Sequence, residues 1–149
     1  MKDSQNFTLR PANSNDATLF YSVIDLTMRE FIIATWGRWD EVRVRAESHL
    51  HSRSPNSQVI EIDNISVGVL RVARFSTYIE LEQIYLLPKY QRLGIGSALI
   101  NQLIAEADRS SIPIRLRVMA INPAKKFYEH LEFIVAEEIP DFFLMEKVP

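Results

Sequence analysis

A loop with two glycines, Gln91-Arg92-Leu93-Gly94-Ile95-Gly96-Ser97, constrains this chain more than any other stretch. It follows a strand-like apolar run, Tyr78 to Leu87, and opens a helical pattern from Gly94 to about Arg109. In that pattern Ile95, Leu99 and Leu103 form one row, with Ile100, Ile104 and Ala107 beside it. A strand that passes into a helix through Gly-x-Gly lets successive backbone N–H groups converge at the positive end of the helix dipole, which suits a phosphate. Lys89 and Arg92 add direct charge. Two familiar phosphate loops do not fit. A dinucleotide fingerprint needs a glycine where this chain has Leu99, and a Walker loop needs Gly-Lys-Ser/Thr where it has Gly96-Ser97-Ala98. Alone, the loop is equally well read as a glycine-eased turn.

The rest of the chain reads as alternating α and β elements without repeats or a linker, so the 149 residues are expected to form one domain, 1–149. A short strand at Phe7–Arg10 is followed by a helix capped by Ser14 or Asn15, with Leu19, Phe20, Val23, Ile24 and Met28 on its apolar face. It fades near Gly37, and a more polar helix covers Asp40 to about His51. Val59–Ile62 and Ile65–Arg74 form a hairpin about Asp63-Asn64. Along Tyr78–Leu87 the apolar phase switches near Glu82-Gln83, as one extra residue in a β-bulge would produce; burial on both faces is the alternative. Ile114–Val118 is a strand, Asn122-Pro123 starts a short helix with Asn122 as its cap, and Ile134–Ile139 and Phe142–Lys147 close the chain.

Charge is uneven. The total is −2, but Lys89–Lys126 carries seven basic residues against two acidic, a local +5, and Glu129–Pro149 carries one against six, a local −5. The near-neutral total argues against recruitment by nucleic acid or membrane, and the polar start, Met1 to Asn6, reads as no signal peptide. The chain has no cysteine, which excludes disulfides, Cys-metal sites and thiol nucleophiles and fits a cytoplasmic setting. His49 and His51 diverge on a helix and lack a third ligand nearby, so no metal is expected.

Gln91-x-x-Gly94-x-Gly96, preceded by Ile84-Tyr85-Leu86-Leu87-Pro88-Lys89-Tyr90, closely resembles the acyl-CoA motif of the GCN5-related N-acetyltransferase (GNAT) superfamily. About 31 residues after Gln91, the run from Asn122-Pro123-Ala124 to Leu131-Glu132-Phe133 resembles the family's second signature, and the element order matches throughout. The resemblance implies a mixed, mostly antiparallel sheet flanked by helices, an α/β (α+β) fold with a splayed pair of strands forming the acyl-CoA cleft. It implies acetyl-CoA as co-substrate, with pyrophosphate on the backbone of Gln91, Arg92, Leu93, Gly94, Ile95, Gly96 and Ser97, and with pantetheine against Leu86, Leu87 and Asn122. The +5 segment then meets a polyanion. One departure stands out: Glu132 occupies a position where the family usually has glycine, and if that glycine serves a positive φ at the helix end, Glu132 strains the turn.

Amine acetylation needs a base for the amine, donors for the thioester oxygen and an acid for the leaving thiolate. By resemblance Tyr128 is the acid; by spacing it equally belongs to the apolar face Ala124, Phe127, Tyr128, Leu131. Glu82, and after it Glu80, are the candidate bases, unless both pair with Arg71 or Arg74 on the neighbouring strand. Backbone N–H at Leu86 or Leu87 is the expected oxyanion donor. The acceptor, a small-molecule amine or a peptide, is expected near Arg29, Glu30, Trp36 and Trp39, although the two tryptophans are read first as closing the helix pair. Without a thiol to carry an acyl-cysteine, transfer should be direct. The alternative is an acyl-CoA-binding module without turnover. Phe142–Met145 either lies inside the sheet or pairs across a homodimer.

Overall fold

The computed structural model describes residues 6–149. The segment on which the signal-peptide reading rests lies almost wholly outside them. In chain order the elements are β1 (Thr8–Pro11), α1 (Ala17–Trp36), α2 (Glu41–Ser52), β2 (Ser57–Ile62), β3 (Ile65–Arg74), β4 (Ile79–Leu86), α3 (Ile95–Arg109), β5 (Ile114–Met119), α4 (Ala124–His130), β6 (Ile134–Ile139) and β7 (Phe142–Lys147). The strands make one mixed sheet in the order β1-β2-β3-β4-β5-β7-β6. The β4–β5 pair is parallel, and β1–β2, β2–β3, β5–β7 and β6–β7 are antiparallel. Among the described residues no helix is long and apolar enough to cross a membrane.

The contacts divide the chain into two compact units, and β3 and β4 run through both. The first takes in everything up to Arg71 together with Gln83–Gly96. Its α1 begins differently from the sequence reading. Asp16 stands at its N-cap position, and the side-chain cap, at Asn13 and not at Ser14 or Asn15, belongs to the turn before it: the Asn13 side-chain oxygen accepts from Asn15 N–H at 2.9 Å, and Asp16 accepts from Asn13 N–H at 2.8 Å. This reciprocal box closes a single 3₁₀ turn, Ser14–Asp16, ahead of α1. Asp16 also receives both guanidinium nitrogens of Arg10 at 2.9 and 2.8 Å, which ties β1 to the helix start and holds the carboxyl below its ordinary pKa. Phe20 and Val23 of α1 pack with Val69 of β3, and Tyr85 and Leu87 join them.

The second unit holds Val72–Glu82 and Ser97–Pro149. In β5 Ile114, Leu116 and Val118 are buried while Arg115 and Arg117 are exposed, the alternation of a strand with one covered face. Leu99, Ile100, Leu103 and Ala107 bury the apolar side of α3. Arg74 is held by Glu106 at 2.6 and 3.0 Å, so it is not the partner of Glu80 or Glu82 that the sequence offered. The closing strand β7 pairs with β5 on one side and β6 on the other. Phe142–Met145 is therefore interior to the sheet, and pairing across a dimer through its backbone is excluded.

Glu132 adopts φ +71°, the left-handed conformation that glycine would take without steric cost. It sits in a Schellman cap: Phe133 N–H reaches Tyr128 O at 3.1 Å and Glu132 N–H reaches Glu129 O at 3.0 Å. The apolar contact that accompanies such a cap is the Tyr128–Phe133 ring pair, 5.8 Å between centroids. The strain expected from Glu132 is thus real and local. Glu132→Gly relieves it, and denaturant titration should show a gain of about 0.5–1 kcal/mol; a loss would mean the glutamate side chain matters more than its backbone.

Candidate active site

Strand β4 departs from regular pairing with β3, as β2–β3 does at Ile60/Glu61 and β6–β7 at Val135/Glu137. On β3–β4, Phe75 N–H bonds Tyr78 O and Leu87 N–H bonds Val67 O, each at 2.9 Å. Between these bonds β4 advances nine positions, Tyr78 to Leu87, while β3 advances eight, Val67 to Phe75, so β4 carries one extra residue. The extra residue lies opposite Gly68. A Cβ on Gly68 would stand 2.4 Å from Tyr85 O and 3.2 Å from Leu86 Cα, far inside the separation of regular paired strands. The bulge read near Glu82-Gln83 is real but sits at Tyr85–Leu86. Gly68, within an otherwise apolar run, was the unread signal for its place.

Within the second unit β4 pairs with β5 in parallel, Ile79 with Ile114, Glu80 with Arg115 and Leu81 with Leu116.

The glycine loop belongs to the first unit through Gly96. After a 3₁₀ turn at Pro88–Tyr90, Arg92 takes φ +62° and Gly94 φ +84°. Left-handed backbone at two such close positions is what an anion nest of converging N–H groups uses, and α3 begins at the next residue, Ile95. Gln91, Arg92 and Gly94 are exposed. These residues fit a pyrophosphate, with one refinement. Gln91 N–H already bonds Pro88 O at 3.2 Å, and its side-chain nitrogen donates to Leu86 O at 3.0 Å. Gln91 clamps the loop onto β4, and the nest proper is Arg92 to Gly96. The Leu87 N–H is likewise spent on Val67, which removes Leu87 from the two expected oxyanion donors and leaves Leu86, on the bulge itself.

Glu80 and Glu82 belong to the second unit. Glu80 is half-buried and Glu82 exposed. Burial pushes the Glu80 carboxyl above its ordinary pKa, and the charge of Glu82 adds to this; Arg115 and Arg117 pull it partly back. Tyr128, on α4, is buried with its ring edge-on to Phe127 and Phe133. Asn122 caps α4 as expected: its side-chain oxygen accepts from Ala124 N–H at 2.9 Å, and Pro123 already has helical dihedrals. Among the described residues no three His, Asp or Glu side chains are grouped to hold a metal.

The four acceptor candidates lie in the first unit, in two different settings. Trp39 donates its indole N–H to Glu41 at 2.9 Å, and the Tyr21 hydroxyl donates to the same oxygen at 2.7 Å. Arg45 bonds the other Glu41 oxygen at 2.8 Å, and the Arg29 guanidinium lies 4.8 Å from the centroid of Trp39 while pairing with Asp25 at 2.9 Å. The Tyr21 and Trp39 donors, with Arg45, bring the Glu41 carboxyl down to about 2. Glu41 organises this join of α1 to α2, a role that no pattern along the chain signals. Trp39 and Arg29 are parts of the join. Glu30 and Trp36 are exposed.

A family model described as an acetyltransferase (GNAT) domain matches residues 54–135. Three solved structures illustrate the likeness of fold. The PaiA N-acetyltransferase of Thermoplasma acidophilum, solved with coenzyme A, has 18% identity and a TM-score of 0.71 over 97% of this chain and 100% of its own. The ribosomal-protein-S18-alanine N-acetyltransferase of Escherichia coli has 19% identity and a TM-score of 0.67 over 96% and 94%. Arabidopsis thaliana Naa50, solved with the bisubstrate analogue CoA-Ac-MVNAL, has 16% identity and a TM-score of 0.64 over 96% and 99%. No curated protein matches in sequence.

Proposed function

We propose, from the premise that the chain belongs to the GNAT acetyltransferase family, that it transfers an acetyl group directly from acetyl-CoA to a primary amine of a small molecule or peptide. The observation that carries this reading is the loop with left-handed backbone at Arg92 and Gly94, immediately ahead of α3 and following a bulged strand. Acetyl-CoA, when bound, supplies an acetyl group already activated as a thioester. Arg92, Leu93, Gly94, Ile95 and Gly96 hold its pyrophosphate through backbone N–H groups, with Ser97 in the first turn of α3 and Gln91 fixing the loop. The backbone of Leu86 and Leu87 and the side chain of Asn122 hold the pantetheine arm, and Leu86 N–H faces the developing oxyanion. Tyr128 gives its proton to the departing sulfur.

Glu80 takes the amine proton. The sequence reading ranked Glu82 first, but a base works best when its pKa approaches the working pH, and burial moves Glu80 that way. Exposed Trp36 is the acceptor contact we favour, because a large aromatic ring open to solvent can cover an acceptor's apolar or cationic part. Peptide acceptors draw support from relatives named for, or solved with, such ligands.

The pH–rate profile tests the base. A raised carboxyl pKa means that protonation, and with it loss of rate, begins at higher pH than for a solvated glutamate. Glu80→Gln should lower kcat by about 10²–10⁴ and abolish that acidic limb, while Glu82→Gln keeps the limb. The reverse pattern would restore Glu82 as the base.

A further inference from the structure

One face of α1 is left uncovered. The helix buries Phe20, Tyr21, Val23 and Met28, yet Leu26 is 60% and Ile33 42% exposed. At 100° per residue, Leu26, Arg29, Glu30 and Ile33 fall on one narrow stripe. Together with Asp25 and Thr27 they line a shallow depression on the helix surface. Their order along the stripe is apolar, positive, negative, apolar, which reads as its own complement when reversed.

We infer that this stripe of α1 is a homodimer contact, formed by two copies of the helix running antiparallel about a two-fold axis between Arg29 and Glu30. A two-fold interface requires that if one residue meets another, the second meets the first across the axis. Antiparallel pairing centred there sets Leu26 against Ile33 of the second copy and Arg29 against Glu30 of the second copy, twice over. The apolar residues cover each other, and each charge faces its opposite. A different protein would need the same alternation in the same spacing, whereas a second copy has it by construction. Arg29 is also prepared for the contact: its pairing with Asp25 and the Trp39 ring restrict the guanidinium before any partner arrives, which reduces the ordering cost of association. One helix pair is small beside standard interfaces, so the dimer should be in equilibrium with monomer on the order of micromolar concentrations.

Sedimentation velocity across a concentration series of the full chain tests this. The expected result is a mass rising from one chain of 17.3 kDa toward two. Glu30→Arg sets like charges against each other at both sites and should weaken the dimer at least about tenfold, and Leu26→Glu should do the same. The double variant Arg29→Glu/Glu30→Arg reverses the order of charge without losing self-complementarity and should recover dimerisation. All three positions are exposed, so thermal unfolding should confirm an intact fold in each variant. A wild-type chain that stays monomeric at every concentration overturns the inference. So does a dimer indifferent to Leu26→Glu and Glu30→Arg, or a double variant that fails to recover.

Discussion

Replacing Tyr128 with phenylalanine should reduce kcat by about 10²–10⁴ while leaving acetyl-CoA affinity and the fold nearly unchanged. The ring of Tyr128 is a structural part of α4, edge-on to Phe127 at 5.3 Å and to Phe133 at 5.8 Å, and its carbonyl anchors the helix cap through Phe133 N–H. Phenylalanine keeps all of that and removes only the hydroxyl. Stability should therefore change by no more than about 1 kcal/mol, the net worth of an ordinary hydrogen bond. Truncation to alanine would be a poor test, because loss of a buried ring costs about 3–5 kcal/mol and would confound chemistry with unfolding. If Tyr128→Phe turns over at the wild-type rate, Tyr128 is a core residue and the acid lies elsewhere. If kcat falls and acetyl-CoA affinity falls with it, the hydroxyl binds the co-substrate instead of donating a proton.

The second large effect should come from a residue that touches no substrate. Gly68→Ala places a methyl group 2.4 Å from Tyr85 O, 2.9 Å from Leu86 Cδ2 and 3.2 Å from Leu86 Cα. Two of those atoms are main chain, so relief requires the bulge itself to move. Destabilisation of about 1–3 kcal/mol is expected, with more for Gly68→Val. A shifted denaturation midpoint at constant slope would register it. The same displacement moves Leu86, whose carbonyl holds Gln91 and whose N–H we assign to the oxyanion, so acetyl-CoA affinity should fall in parallel. A Gly68→Ala protein as stable as wild type and equally tight for acetyl-CoA would mean that the bulge does not shape the co-substrate site.

The parts of this molecule that were legible in its sequence are those set by local periodicity and turn chemistry. The apolar rows of α3, the alternation of β5 and the Asn122-Pro123 start of α4 each follow from spacing within a single element, and each is where the sequence places it. What escaped depends on which strand lies beside which. The bulge was inferred from a change of phase along β4 alone, but its place is fixed by Gly68 on the neighbouring strand, which a pattern along one strand cannot report. Leu87 was as good an oxyanion donor as Leu86 until Val67 O was found against its N–H. The interior position of β7 follows only from knowing both of its neighbours. The cap ahead of α1 was misplaced because Asp16, which completes it, is held by Arg10 from another element. Glu132 is the instructive exception: departure from a family pattern at one residue located a left-handed backbone in advance.

The most direct test of the central claim follows free thiol as the protein is mixed with acetyl-CoA and a panel of small amines and peptides with free amino termini. Thiol should appear in step with acetylated amine for at least one acceptor, and both should fade in Tyr128→Phe and Glu80→Gln. Tight binding of acetyl-CoA with no thiol released for any acceptor would contradict the assignment as an enzyme and make the chain an acyl-CoA-binding module.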